Sequence, residues 1–318
     1  MVEGSILGLD IGGTQIKAAR VGLGGEVIKS VKSATPGSLA EFRTVIGKLV
    51  LDLLPDESPL AGIGIGCKGV INPESTRVDV LPGTLNFLEG HSLVEFVSPW
   101  VPDGTPVAAD NDARAALAGE VAWGAARGHD HVVMLTLGTG VGGAVLAGGK
   151  LLRGARGVAG HLGHLTANPD GSPCICGNQG CLETVFSSRS IEAEAFAVAH
   201  RGVASRLTSE TGEKPLDCKA IFKIAAEGDP VAKQIVEQAT RRLGAAMAGL
   251  AHAFDPEVFI LGGQIASVGN SLLRAVQREI AWRSRTLLQR EVPVVAAQLG
   301  EGGGAAGAAA LVLEAVEG

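Results

Sequence analysis

A device used twice restricts most what this chain can fold into. Leu9 to Arg20 and Leu135 to Leu146 each read as a strand, a turn containing glycine and threonine, and a returning strand. Recurrence of such a unit points to duplication, and so to two related halves facing each other. In the first copy Ser5 to Asp10 (SILGLD) is a short buried strand, Gly12-Gly13-Thr14 turns the chain and Ile16 to Val21 returns. In the second His131 to Leu137 is the strand, Gly138-Thr139-Gly140 the turn and Gly142 to Ala147 the return.

The rest of the chain alternates strands and helices, as an α/β fold requires. Leu39, Phe42, Ile46, Leu49 and Leu53 recur at helical spacing behind Ser38, which can cap the first turn. Strands follow at Ala61 to Gly66 and Pro106 to Asp110, then an alanine-rich helix from Asp112 to Gly124. Helices are predicted near Ile191 to His200, Lys219 to Glu227 and Val231 to Ala253, a strand at Val258 to Leu261, a helix after Asn270 and a strand at Val292 to Ala296. An alanine-rich helix closes the chain from about Gly304 to Glu317.

At 318 residues and 46% hydrophobic, the chain has enough apolar material for two cores and too much for disorder. No apolar run reaches the roughly 18 residues that span a bilayer. The N-terminal MVEGSILGLD has no basic n-region, long apolar run or small-residue cleavage site, so a cytoplasmic protein away from membranes is expected. The 27 basic residues are scattered and the net charge is −6, which argues against a nucleic-acid partner. Forty-six glycines instead suggest tight turns and close backbone approach to small phosphorylated ligands.

Asp10 ends a buried strand, and the amides of Gly12, Gly13 and Thr14 beyond it suit the cradling of phosphate oxygens. A carboxylate there can also hold Mg²⁺ through water. Taken alone, this is equally a tight turn. LGTGVGGA repeats the device at Gly138 to Gly143, and FILGGQI adds a third strand exit at Gly262-Gly263. Three such exits would line one cleft if the halves faced each other, and nucleotides bind at such strand ends. Asn111 and Asp112 follow a strand at a helix start, where Asp112 could take a proton from a hydroxyl nucleophile or serve only as a cap. One aspartate beside a phosphate cleft suffices for phosphoryl transfer, which rests mainly on positioning and charge.

His164, Cys174, Cys176 and Cys181 place four soft ligands within eighteen residues, the donor set of a structural zinc site. A disulfide between Cys174 and Cys181, with His164 an ordinary loop histidine, is the alternative. Cys67 and Cys218 read as small buried hydrophobes, and His91 and His131 as surface or strand-edge residues.

These motifs together resemble the ROK (repressor, open reading frame, kinase) sugar kinases, which include bacterial glucokinases. The most specific match is His161-Leu-Gly-His164 followed by Cys174-Ile-Cys176-Gly-Asn-Gln-Gly180-Cys181-Leu-Glu183, set against the family's ExGH and CxCGxxGCxE. The resemblance implies a two-lobed actin-like ATPase (ribonuclease H-like) fold with duplicated halves. Residues 1–112 would form a small lobe joined by helix 304–318, and residues 113–303 a large lobe with the zinc loop. It implies ATP-dependent phosphorylation of the 6-hydroxyl of glucose or a close analogue, with Mg²⁺, and a homodimer. Asp112 would be the base, and Asn111, Asn86, Gly69, His161, His164 and Glu183 would contact the sugar. His164 would touch zinc with its other ring nitrogen. ATP would lie against Asp10, Gly12, Gly13, Thr14 and Lys17, against Gly138, Thr139 and Gly140, and at Gly262 and Gly263, although Lys17 also reads as a solvated strand residue.

Three departures stand out. His161 replaces the family glutamate, Lys68 stands where proline is usual before Gly69, and Arg114 stands where asparagine is common. The first alters the donors and acceptors near the sugar's anomeric end, leaving N-acetylmannosamine, N-acetylglucosamine, fructose or an amino sugar as other acceptors. Lys68 and Arg114 are expected at the rim of the sugar pocket. Some relatives are sugar-responsive repressors with a DNA-binding domain ahead of the kinase-like body; with the phosphate loop starting at Asp10, that reading is disfavoured, as is a sugar-binding pseudokinase.

Overall fold

The structure is a computed structural model that describes residues 4–54, 59–212, 216–266 and 269–317. The chain forms two compact units. The first comprises residues 1–129, 144–160 and 297–318, and the second 130–143 and 161–296. Residues 113–129 and 297–303 thus lie in the first unit, whereas the sequence suggested boundaries at 112 and 304.

The first unit contains a five-stranded sheet. Its strands are β1 (Ser5–Ile11), β2 (Gln15–Gly22), β3 (Val27–Ala34), β4 (Leu60–Cys67) and β7 (Val107–Asn111), in the order β3-β2-β1-β4-β7. β5 (Val70–Ile71) and β6 (Val78–Val80) form a separate small ribbon. β1 pairs antiparallel with β2 and parallel with β4, and β4 pairs parallel with β7. The register sets Asp10, Gly66 and Asp110 in one row across the three parallel strands, and Ile11, Cys67 and Asn111 in the next. The carboxyl ends of these strands therefore carry the chemistry-bearing residues together.

Side-chain alternation along β1 and β4 decides what covers each face. Leu7, Leu9 and Ile11 with Ile63, Ile65 and Cys67 join one core cluster with Phe42, Ile46 and Val50 of helix α1 (Leu39–Leu53). The Ser38 hydroxyl accepts from the Glu41 N–H and caps that helix, as the sequence predicts. The intervening residues are Ile6, Gly8 and Asp10, and Gly62, Gly64 and Gly66. They face helix α10 (Gly303–Glu317), whose Ala305, Ala306, Ala309 and Val312 pack with Ile6. A Cβ on Gly8 would run into the Ala305 carbonyl oxygen, and one on Gly64 into that of Ala308. Helix α3 (Asp112–Trp123) joins α10 in the same way, since a Cβ on Gly119 would strike the Gly307 Cα and one on Gly307 the Ala115 carbonyl. That glycine contact brings residues 113–123 into the first unit.

Strand β3 carries no buried run. Val27 and Ile28 are exposed and Lys29 and Lys32 alternate with small residues, the character of an edge strand. Helix α2 (Val94–Val97) is a single turn.

The second sheet has the order β10-β9-β8-β11-β12, from β8 (Val132–Leu137), β9 (Val141–Ala147), β10 (Lys150–Leu151), β11 (Val258–Gly262) and β12 (Val294–Ala296). This repeats the first order strand for strand, and β11 runs parallel to both β8 and β12 as β4 does to β1 and β7. The duplication inferred from the two glycine turns is thus present in the topology. Helices of the second unit are α4 (Leu182–Val185), α5 (Ser188–His200), α6 (Arg206–Glu210), α7 (Cys218–Ala226), α8 (Pro230–Phe254) and α9 (Asn270–Leu288). Asp229 caps α8 through the Val231 and Ala232 N–H groups. No helix among the described residues is long and apolar enough to cross a membrane.

The glycine-lined face makes a stability prediction. Gly64→Ala should lower the free energy of unfolding by about 1–3 kcal/mol through overpacking, read from the urea midpoint at unchanged slope. Gly249→Ala, where a Cβ meets open space on α8, should leave it unchanged or raise it by up to about 1 kcal/mol.

Candidate active site

Asp10 leaves β1 beside the first turn of α10, where a Cβ on Gly304 would strike its carboxylate. Burial, then the nearby Asp112 charge, push the Asp10 carboxyl up to about 6, with Lys17 opposing. Lys17 sits opposite Asp10 across the hairpin and is exposed. The turn that follows is closed by the Gly12 N–H donating to the Gln15 carbonyl at 3.1 Å. Thr35 braces it from β3's exit, its hydroxyl donating to the Gly12 carbonyl at 2.7 Å and its N–H to Thr14 at 3.1 Å. On the other flank the Thr84 hydroxyl donates to the Gly13 carbonyl at 3.4 Å, and Lys68 Nζ donates to Thr84 at 3.5 Å.

Asp112 is the first residue of α3 and is half-buried. The N-cap is Asn111, whose side-chain oxygen accepts from the Ala113 N–H at 3.0 Å, an N–H that the Asp112 carboxylate also holds at 2.9 Å. Its carboxyl is raised above the ordinary range by burial, against the pull of the Ala113 N–H, Lys68 and Arg114. The Asn111 amide donates to the Gly69 carbonyl at 3.1 Å. Gly69 has φ +95°, and a Cβ there would strike the Val80 carbonyl, so only glycine fits that crossing. Asn86 is exposed at the start of a 3₁₀ turn that Phe87 anchors against Phe42, and no side-chain hydrogen bond joins it to Asn111 or Asp112 among the described residues.

In the second unit, the Gly138 N–H donates to the Gly140 carbonyl at 3.0 Å and closes the second turn, with Thr139 at its exposed tip. Glu183, on the first turn of α4, accepts from the Val141 N–H at 3.0 Å, and a Cβ on Gly140 would strike its carboxylate. The third glycine exit lies beside this turn. Gly263 has φ +85° and a Cβ there would meet the Leu137 backbone, while the Ile265 N–H donates to the Leu137 carbonyl at 2.9 Å.

His164 and the three cysteines also come together, their donor atoms all within 4.8 Å of one another. Cys176 Sγ is 3.6 Å from Cys181 Sγ, and Cys174 Sγ is 3.5 Å from His164 Nδ1. All five cysteines are free, so the disulfide alternative is not present. A tetrahedral ion with bonds of about 2.0–2.3 Å has ligand-to-ligand edges of about 3.5–3.8 Å, which those two separations match. Burial, then hydrogen bonds from Cys176 and Cys174, push the Cys181 thiol up to about 12. Burial opposes Cys176 as well, but hydrogen bonds from the Asn178 N–H and the neighbouring thiols bring it below the usual value. A cation at the centre would favour all three thiolates. The His161 ring lies 6.4 Å from that of His164 at 25° between planes.

The ROK family model matches residues 6–315. A glucokinase of Thermotoga maritima is 33% identical over 98% of both chains, and one of Streptomyces coelicolor 34% over the same shares. The crystal structure of a ROK family glucokinase from Streptomyces griseus, in complex with glucose and AMPPNP, is 36% identical with a TM-score of 0.80, covering 98% of this chain and 100% of that one.

The chain belongs to the ROK family. Its fold is accordingly the actin-like ATPase fold of the ROK kinases.

Of the departures from the ROK pattern, Arg114 is not at a rim. It is 1% exposed and donates through Nε to Asp110, and through NH1 to the carbonyls of Gly157 at 3.2 Å and Ala159 at 2.8 Å. Asp110 also accepts from Arg153 at 2.7 Å, and Arg153 forms a two-point pair with Glu314 at 3.0 and 2.6 Å. Four charged side chains thus fasten strand β7, helix α3, residues 153–159 and helix α10 together. The Asp110/Arg114 spacing of four residues was the only sequence signal for this network, and it was missed. Arg114→Ala should destabilise the protein by about 3 kcal/mol, since removing one partner strands buried polar groups. Denaturant unfolding checks this, and a loss under about 1 kcal/mol would show the network to be dispensable.

Proposed function

We propose that this protein is an ATP-dependent kinase that transfers the terminal phosphoryl group to the 6-hydroxyl of glucose or a close analogue. The observation that carries the reading is the placement of a half-buried Asp112, beside the N-cap Asn111, at the same carboxyl edge of the sheet as the Asp10 to Thr14 turn. Asp112 takes the proton of the attacking hydroxyl. Asn111 and Gly69, already hydrogen-bonded to each other, and Asn86 orient the sugar hydroxyls, and His161, His164 and Glu183 carry the further sugar contacts that membership of the family implies. The amides of Gly12, Gly13 and Thr14 and of Gly138, Thr139 and Gly140 receive phosphate oxygens, and Gly262 and Gly263 pass close to the adenosine.

Asp10 would hold Mg²⁺ through water, which supplies positive charge to the phosphates when bound. Zinc is the ion that fits the Cys174, Cys176, Cys181 and His164 cage, with a structural role. His164 would use Nδ1 for the metal, the nitrogen that faces Cys174, leaving the other for the sugar. A cytoplasmic homodimer completes the proposal. His161 favours testing N-acetylated and amino sugars beside glucose, because a neutral imidazole offers one donor and one acceptor where a carboxylate only accepts.

A panel of hexoses assayed with ATP and with polyphosphate tests the reading, and no ATP-dependent turnover on any sugar would refute it. Asp112→Asn should lower kcat by about 10²–10⁴-fold while glucose binding by calorimetry persists. Asp112 must be ionised to act and burial raises its carboxyl. Wild-type kcat/KM should therefore fall with decreasing pH through a midpoint above the usual aspartate value of about 4. Cys176→Ala should reduce zinc from about one ion per chain to near none by elemental analysis, as loss of one of four ligands implies.

A further inference from the structure

We infer that Lys68 contacts the terminal phosphoryl group of ATP and stabilises its charge during transfer, an inference that rests on the kinase reading above. Lys68 follows β4 directly, one residue beyond the row shared by Ile11, Cys67 and Asn111. Its Nζ overhangs the first glycine turn. It donates to the Thr84 hydroxyl at 3.5 Å, that hydroxyl donates to the Gly13 carbonyl at 3.4 Å, and a Cβ on Gly13 would lie 3.4 Å from Nζ. Among the described residues no carboxylate lies within 4.0 Å of Nζ, so its charge is uncommitted at short range. Lys17, by contrast, is exposed on the outgoing strand opposite Asp10. The Lys68 charge also reaches Asp112, whose carboxyl it draws down against burial.

One cation thus reaches both the phosphate-binding turn and the base. In the reaction the sugar oxygen forms a bond to the γ-phosphorus, the bond from that phosphorus to the β,γ-bridging oxygen breaks, ADP leaves with the electron pair, and the hydroxyl proton passes to Asp112. Charge spreads over the equatorial oxygens of the moving group, which is where a flexible ammonium contributes most. Lys68 was expected at the sugar rim; its polar partner, Thr84, instead belongs to the brace of the phosphate turn.

The test compares wild type with Lys68→Met, Lys68→Gln and Lys68→Arg. Wild-type turnover of glucose and ATP must be seen first; its absence overturns the kinase reading and not the role of Lys68 within it. With turnover established, Lys68→Met and Lys68→Gln should lower kcat by about 10²-fold or more, leave the KM for glucose within about twofold, and weaken AMPPNP at least about tenfold while ADP binding hardly changes, as loss of one charged contact predicts. Lys68→Arg should recover part of the loss. Turnover within about threefold of wild type, equal weakening of ADP and AMPPNP, or a change confined to the KM for glucose would each overturn the inference. Thermal midpoints separate these results from misfolding, and a Met variant that does not fold leaves Gln and Arg to decide.

Discussion

Close backbone contact between helix α10 and the sheet of the first unit is the constraint on which most of that unit depends. Gly8 and Gly64 lie where the α10 backbone occupies the space a side chain would need, while a Cβ on Gly62 would meet the Val312 side chain and one on Gly66 would crowd Ala115 of α3. A close approach of this kind gives up side-chain burial but gains dispersion over many backbone atoms, and it fixes the helix in register. The register has a chemical consequence. Asp10 continues the same face as Ile6 and Gly8, so its carboxylate lands at the N-terminal turn of α10 by Gly304. The amide dipoles there favour an anion, while burial and Asp112 disfavour it, and burial with the second carboxylate prevails, leaving the carboxyl raised to about 6. A bound cation would reverse that balance.

The network of Asp110, Arg114, Arg153 and Glu314 does for segments distant in sequence what the glycines do for the sheet. Desolvating Arg114 and Asp110 is costly, and the cost is met only because each bond partner is itself charged or a carbonyl fixed in place. Arg153 and Glu314 are about a third exposed, so their pair is screened and adds little by itself. Its value is geometric. Arg114 lies two residues after Asp112, and its hold on the carbonyls of Gly157 and Ala159 restrains the helix turn from which Asp112 projects.

What could be read from the sequence divides by distance along the chain. The two hairpins, helix α1 with its Ser38 cap, and the Cys₃His cage were legible because each depends on residues within about twenty positions and on patterns with a definite period or donor set. Edge strand β3 was not, since most of its residues are exposed and Lys29 and Lys32 break any apolar alternation. The extent of the first unit was misjudged because the contact that decides it pairs Gly119 with Gly307, and no local pattern marks two glycines on different helices as partners. Arg114 was visible as a departure from the family, but its role depends on carbonyls more than forty positions away. Asn86 shows the converse: the resemblance proposes it for the sugar, while among the described residues its side chain has no hydrogen bond that would hold it in place.

In the second unit, the cage and the second glycine turn are joined through one short helix. Cys181 is the N-cap of α4, and the Leu182 N–H that follows donates to the Leu165 carbonyl at 2.8 Å, one residue beyond His164. The next residue is Glu183, whose carboxylate accepts from Val141 and leaves room for no side chain at Gly140. Beyond α4 the Ser188 N–H returns to the Gly138 carbonyl at 2.9 Å. The segment from Cys181 to Ser188 is therefore pinned to the cage at one end and to the turn at the other. An ion that tightens the cage need not approach any reacting atom to matter, because the backbone it fixes also sets the Glu183 carboxylate and the Gly138 to Gly140 amides. The Cys₃His cage and the second glycine turn, which look independent in sequence, share one connection.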